Sequence, residues 1–229
     1  MKEAIRRVTG EETEPIGASR TDSGAHARGQ VAHLDLTVPI PADRLKKALN
    51  RLLPFDLKIV EVTEVDETFN SRFSASFRHY QYRILHDTSD PFGGRFAHGF
   101  DRKLDLDKMQ EAASYLVGEH DFEAFTEELD DSVENTVRTL FRIDVTQQHP
   151  YTLIDIEGTA FLRGMMRRIS GFLVEVGRGH RPGSDAPILL SDQRESLEGS
   201  VVLPAKGLTL MRVHYDFPYR NHRLKLGQE

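Results

Sequence analysis

Residues 137–145 and 151–156, rich in β-branched and aromatic side chains on either side of a short polar turn ending at Pro150, read as two antiparallel strands joined as a hairpin. A hairpin of this kind has one apolar face, and the chain must supply something to cover it. Two segments can. Residues 106–117 place Met109, Ala112, Ala113, Leu116 and Val117 on one helical face, and residues 162–176 read as a second helix. Residues 73–85, rich in aromatics and arginine, predict a long strand; 188–197 predict a further helix and 207–217 a closing strand. Upstream, residues 41–53 form an amphipathic helix with Pro41 near its first turn and Pro54 ending it, flanked by strands at 31–36 and 57–65. Residues 1–8 read as the end of an amphipathic helix stopped by Gly10. Strand-helix-strand-strand order recurs on both sides of the polar stretch ending at Thr68. The expectation is therefore an α+β fold of two halves, 1–68 and 69–229, with antiparallel sheets.

Cysteine is absent, which removes disulfides, thiolate nucleophiles and thiolate metal sites. No apolar run approaches membrane-spanning length and the N-terminus carries no signal-peptide pattern, so no membrane partner and a cytoplasmic location are expected. The net charge of −6 is unevenly spread. Residues 119–135 hold Glu119, Asp121, Glu123, Glu127, Glu128, Asp130, Asp131 and Glu134 without a Lys or Arg, and read as a mobile, solvent-facing insertion. Residues 160–183 hold Arg163, Arg167, Arg168, Arg178 and Arg181 against Glu175 alone, and residues 72–83 hold Arg72, Arg78 and Arg83. Such local basic charge suits a phosphate-bearing partner despite the acidic total.

The chemistry centres on residues 18–36, where a short apolar segment enters a polar turn, Arg20-Thr-Asp22-Ser-Gly24-Ala-His26, and leaves as an alternating strand. A loop held between strands is a common seat for reactive side chains. Asp22 also fits an Asx turn before Gly24.

Arg20-Thr21-Asp22-Ser23-Gly24-Ala25-His26-Ala27 followed by Gly29-Gln30-Val31-Ala32-His33 resembles the signature of the TruA family of tRNA pseudouridine synthases. Ser71-Arg72-Phe73-Ser74-Ala75 with Arg78-His79-Tyr80-Gln81-Tyr82 is similar to the family's Arg-Phe-Ser-Ala…Arg-x-Tyr-x-Tyr strand. Phe161 to Gly171, containing Arg167, is similar to its second-half helix, and Pro204-Ala-Lys-Gly207-Leu208 matches near the end. The sequence departs from the pattern at Ser19 for Gly, at Ser23 for Ala, and at Arg163-Gly164 where the family often has His-His.

The resemblance implies two ferredoxin-like halves joined around a central RNA-binding cleft. It also implies a first half that is N-terminally truncated, since the family's first strand and Gly-Trp-Gln loop are missing before residue 1 and the chain has no Trp. It implies cofactor-free isomerisation of uridine in the anticodon arm of tRNA, around positions 38 to 40, by a homodimer. Asp22 takes the catalytic carboxylate's position and Arg167 the arginine's; a guanidinium fork suits a carboxylate that would otherwise be buried unpaired. Tyr80 takes the base-stacking position, with Tyr82 structural. Arg20, His26, Arg78, Arg163 and Arg168 are candidate RNA contacts. His26 is read as loop-orienting and His33 as a strand residue, because as a metal pair they lack further ligands at sensible spacing; no metal is expected. Local alternatives stay open: Arg167 as a surface residue of a basic helix, Tyr80 as a core aromatic.

Two rival functions fit parts of the same sequence. Asp22-Ser23-Gly24 is also an aspartic-protease triplet, but that chemistry needs two carboxylates sharing a proton, so a dimer, and leaves Arg20 without a place. A tRNA-binding protein of the same fold without catalysis is the other.

Overall fold

The computed structural model describes residues 1–126 and 135–216. These divide in space into two compact units that no single cut in the sequence reproduces. One contains Met1–Arg20, Val31–Ala75 and the chain from Tyr215; the other contains Thr21–Gln30 and Ser76–His214.

In the first unit, helix α1 (Lys2–Thr9) ends as the Gly10 amide reaches back to the Arg6 carbonyl at 2.8 Å. It packs through Ala4 and Ile5 against Leu45 and Leu49 of α2, with Leu34, Leu36, Ile59 and Val62 around this core. Here α2 is Ala42–Leu52. Two short strands, β1 (Ile16–Gly17) and β3 (Ala32–His33), pair antiparallel, so the second is much shorter than the expected 31–36. Between them in sequence lies β2 (His26–Ala27), which belongs to the other unit.

The strand expected at 57–65 does not form. Ile59 and Val62 do face the core, but at a spacing of three that the single face of a strand cannot give, and the backbone is satisfied another way. The Asn50 side chain gives its Nδ2 hydrogen to the Ile59 carbonyl and takes the Ile59 amide on Oδ1, both at 2.8 Å. A single amide side chain thus stands in for a neighbouring strand. Replacing Asn50 by Ala leaves both Ile59 groups unpaired and is expected to cost about 1–3 kcal/mol, read as a lower denaturation midpoint for this unit. An unchanged midpoint would show that solvent replaces both bonds.

The second unit is built on a seven-stranded mixed sheet in the order β2-β9-β4-β8-β7-β6, with β5 beside β4. Its long members are β4 (Ala75–Leu85), β7 (Val137–Gln148), β8 (Tyr151–Gly158) and β9 (Leu208–Tyr215); β5 is His98–Gly99 and β6 Gly118–Asp121. Strands β4, β8, β7 and β6 run antiparallel in succession, whereas β2 joins β9 and β5 joins β4 in parallel. One face of β4 and β8 carries Tyr80, Tyr82, Ile84, Ile154 and Ile156, all buried. Helices α3 (Leu106–Ser114) and α4 (Met165–Gly177) supply Met109, Ile169, Phe172 and Leu173 to the unit's buried core.

Three expectations shift here. Helix 106–117 stops at Ser114, because Gly118 turns the chain straight into β6. The acidic stretch is not a free insertion at its start: Glu119 and Asp121 lie in β6, and Phe122 and Phe125 are fully buried. Arg194 binds Asp121 at 2.8 Å and Glu123 at 2.7 Å. Burial pushes the Asp121 carboxyl up, but hydrogen bonds from Thr136 and Arg194 outweigh it and hold the group below the usual range. Glu127, Glu128, Asp130, Asp131 and Glu134 lie outside the described residues, as does Phe217 at the end of the expected closing strand. The helix expected at 188–197 is instead α5 (Asp185–Leu189), followed by a single 3₁₀ turn at Arg194–Ser196. There the Ser191 hydroxyl takes the Gln193 amide, a local bond that competes with helix continuation.

Candidate active site

Residues 21–30 enter the second unit as a loop pinned by its own strand. His26 pairs with Thr209 and Ala27 with Leu210, and the Arg28 amide reaches the Leu210 carbonyl at 2.8 Å. The turn before β2 closes through the main chain, Ala25 N–H to the Asp22 carbonyl at 3.0 Å, with Gly24 at φ 87°. A backbone closure leaves the Asp22 side chain available for a distant partner.

That partner is Arg167. In the first turn of α4, Met165, Met166 and Ile169 turn inward, and Arg167 is left with 18% of its side chain exposed. Its Nη1 lies 2.8 Å from Asp22 Oδ2, joining residues 145 positions apart. Its Nε donates to the Leu203 carbonyl at 2.6 Å. Two edges of the guanidinium are therefore oriented, one by backbone and one by the carboxylate, which a lysine could not reproduce.

Behind this pair, the Tyr82 hydroxyl donates to the Pro204 carbonyl at 2.7 Å, adjacent in sequence to the carbonyl that holds Arg167. Burial pushes the Tyr82 phenol far above its usual range, against a smaller downward pull from Arg167, so it stays a donor. Residues 203–204 are thus a strap held by Tyr82 and gripping Arg167. The Pro204-Ala-Lys-Gly207 motif was visible in the sequence, but nothing in it said that its carbonyls do this work.

The remaining candidates are placed as follows. Tyr80 is 6% exposed, its ring 4.9 Å from Phe161 in an edge-on contact. Arg78 is 8% exposed and donates through Nη1 to the Thr159 carbonyl at 2.7 Å. Arg163 is exposed, next to α4, and Arg168 donates to the Ser200 carbonyl at 3.0 Å. His26 packs on Phe96 with ring centroids 4.8 Å apart, and its buried Nε2 meets no partner among the described residues. Arg20 is exposed and belongs to the first unit. There too His33 Nδ1 receives the Ser71 amide at 3.1 Å, while the Ser71 hydroxyl donates to the Ile16 carbonyl, which ties the segment at 71 to the β1–β3 pair.

Among the described residues no three His, Asp or Glu side chains converge as a metal site would require, and no helix is long and apolar enough to cross a membrane. Asp22 faces a guanidinium rather than a second carboxylate, which is the wrong partner for a proton-sharing dyad.

Comparison with known proteins agrees on one family. Residues 112–216 match the family model described as tRNA pseudouridine synthase. The chain is 42% identical to tRNA pseudouridine synthase A of Brevibacillus brevis, over 94% of this chain and 88% of that protein. It is 39% identical to the protein of the same name from Acetivibrio thermocellus, over 94% and 88%, and 37% identical to that from a Geobacter species, over 94% and 87%. With identity at this level running nearly end to end, the chain belongs to the TruA family of tRNA pseudouridine synthases.

Proposed function

We propose that this protein isomerises uridine to pseudouridine in tRNA, with Asp22 as the catalytic carboxylate and Arg167 as the cation that holds it ionised and aimed. The observation that carries the reading is the Asp22–Arg167 contact at 2.8 Å, with Arg167 fixed on its other side by a main-chain carbonyl.

The reaction breaks the bond from C1′ to N1 and makes one from C1′ to C5 of the same base; the C5 proton leaves and N1 gains one. No atom or electron enters from outside, so a positioned carboxylate suffices to attack and to move the proton. The guanidinium offsets the cost of keeping that carboxylate charged when the base excludes water. To reach it, the base must leave its stack. Tyr80, backed by Phe161, offers a ring for the displaced uracil, and such stacking is worth about 1–3 kcal/mol. Arg20, His26 and Arg163 are assigned to the RNA side, while Arg168, bonded to the Ser200 carbonyl, steadies the segment that holds Arg167. Arg78, buried and bonded to Thr159, acts in this scheme by bracing the strand that carries Tyr80.

The substrate proposed is the anticodon arm, around positions 38 to 40, recognised by shape. The enzyme is proposed to act in the cytoplasm as a homodimer, to be checked by sedimentation, where a monomer mass at working concentration would remove that part.

The deciding experiment uses an unmodified tRNA transcript carrying tritium at C5 of uridine, because isomerisation releases that hydrogen to solvent. Tritium release by this chain is expected. Salt-sensitive tRNA binding without release would instead support the binding-protein reading.

A further inference from the structure

The arginines of the two basic segments are largely committed inside the protein. Arg78 serves Thr159, Arg167 serves Asp22 and Leu203, and Arg168 serves Ser200. Arg181 bridges Glu175 at 3.4 Å and Asp185 at 3.2 Å. Arg83 lies over the Tyr151 ring at 4.5 Å and Arg178 over Phe100 at 5.3 Å. A phosphate could recruit most of these only by displacing a bond already made.

Three exposed cations of the same unit lie elsewhere: Arg28, Arg95 and Lys206. Among the described residues the Arg28 and Lys206 side chains make no hydrogen bond or ion pair, and Arg95 rests with its Cζ 5.6 Å from the Phe96 ring centre. The three segments bearing them meet around the Asp22 loop. Phe96 touches His26 at 4.8 Å, two residues before Arg28. A side chain at Gly24 would begin 3.8 Å from the Cβ of Ala205, the neighbour of Lys206. Lys206 is also near His98: burial lowers the pKa of that imidazole first, and the Lys206 charge lowers it further. Residues 23–28, 93–98 and 203–207 contain no acid, and the adjacent Asp22 is already paired with Arg167.

We propose that Arg28, Arg95 and Lys206 form a phosphate-binding cluster that grips the RNA backbone beside the nucleotide presented to Asp22. This rests on the reading of the Asp22 loop as the site of RNA chemistry. The cluster meets the two demands on an electrostatic grip: its charges are solvent-facing, and they are not neutralised from within. Each phosphate contact releases condensed counterions, so it contributes about 0.7–0.9 to the slope of log affinity against log salt.

The test is equilibrium binding of unmodified tRNA transcript across a series of KCl concentrations. It compares the unaltered chain, the triple variant Arg28→Ala/Arg95→Ala/Lys206→Ala, and a control, Arg102→Ala/Lys103→Ala, that removes two exposed cations from a separate pocket of about 840 Å³. The triple variant is expected to lose about two units of salt slope and at least about tenfold in affinity at low salt, with KM for tRNA rising more than kcat falls. The control should keep the slope of the unaltered chain. A triple variant with an unchanged slope, or one lowered no more than the control's, overturns the cluster. The binding arm is independent of turnover: binding with the expected slope loss but no tritium release would leave the cluster standing and remove the catalytic reading. A chain that binds no tRNA would remove both.

Discussion

Replacing Asp22 by Asn is expected to reduce pseudouridine formation on the order of 10⁴-fold or more, the scale on which loss of a covalent or proton-shuttling group is felt. Asn is nearly isosteric, and the turn at this position is closed by the Asp22 main-chain carbonyl, so the loop should keep its course. What disappears is the charge. Arg167 would retain its bond to Leu203 and some solvent contact, 18% of the side chain being exposed, so it would not become a fully buried orphan. The cost in stability should therefore stay within about 1–2 kcal/mol, below that of breaking a fully buried pair. Tritium release, thermal unfolding and tRNA binding measured together separate the two effects. A variant that folds, binds tRNA and keeps more than a tenth of the activity would remove Asp22 from the centre of the mechanism.

Gly171→Ala is expected to be the most damaging small substitution to the fold. In the middle of an exposed helix this change would gain about 1 kcal/mol of helix propensity. Here α4 passes so close to the segment beyond it that a methyl on residue 171 would sit 2.0 Å from the Val201 carbonyl oxygen and 3.0 Å from its carbon. Both obstacles are backbone, and the segment is held at either side by Arg168 to Ser200 and Arg167 to Leu203. It can yield only by giving up those bonds. Overpacking costs about 1–3 kcal/mol and occasionally more, and the upper end applies because no flexible side chain can move aside. For a unit of this size each kcal/mol lowers Tm by about 2–4 °C, so a fall of roughly 6–12 °C is expected. Activity should fall below what the remaining folded fraction explains, since retreat of the 200–203 segment takes the Leu203 carbonyl off Arg167. A variant at least as stable as the original would show that the close approach is relaxed in solution.

The parts of this fold that were legible in sequence are those whose signal is local. The hairpin now seen as β7 and β8, the amphipathic α2, the apolar α4 and the long β4 are each marked by residue types within their own stretch of chain. Residues 57–65 show the limit of that signal. Two of its apolar residues, Ile59 and Val62, do turn inward, though not at the alternation of a strand, and a strand exists only if another strand bonds to it; here Asn50 takes that place from nine residues away. The acidic stretch shows the same limit with charge. A run without a single cation looks solvated until Arg194, more than seventy residues later, closes on Asp121 and Glu123.

The candidate site divides along the same line. Sequence alone determined that Asp22 stands in a turn between extended segments, that Arg167 stands on a helix, and that both sit in motifs resembling those of one family. Tertiary structure decided that the two side chains meet, that Leu203 and Pro204 hold the arginine, and that most of the motif arginines are already bonded within the protein. The reason is physical. Periodicity and turn chemistry act over a few residues and are written in consecutive letters. A hydrogen bond between positions 22 and 167, or the choice of which cation remains free for a phosphate, depends on distances that exist only after the sheet has brought the chain together.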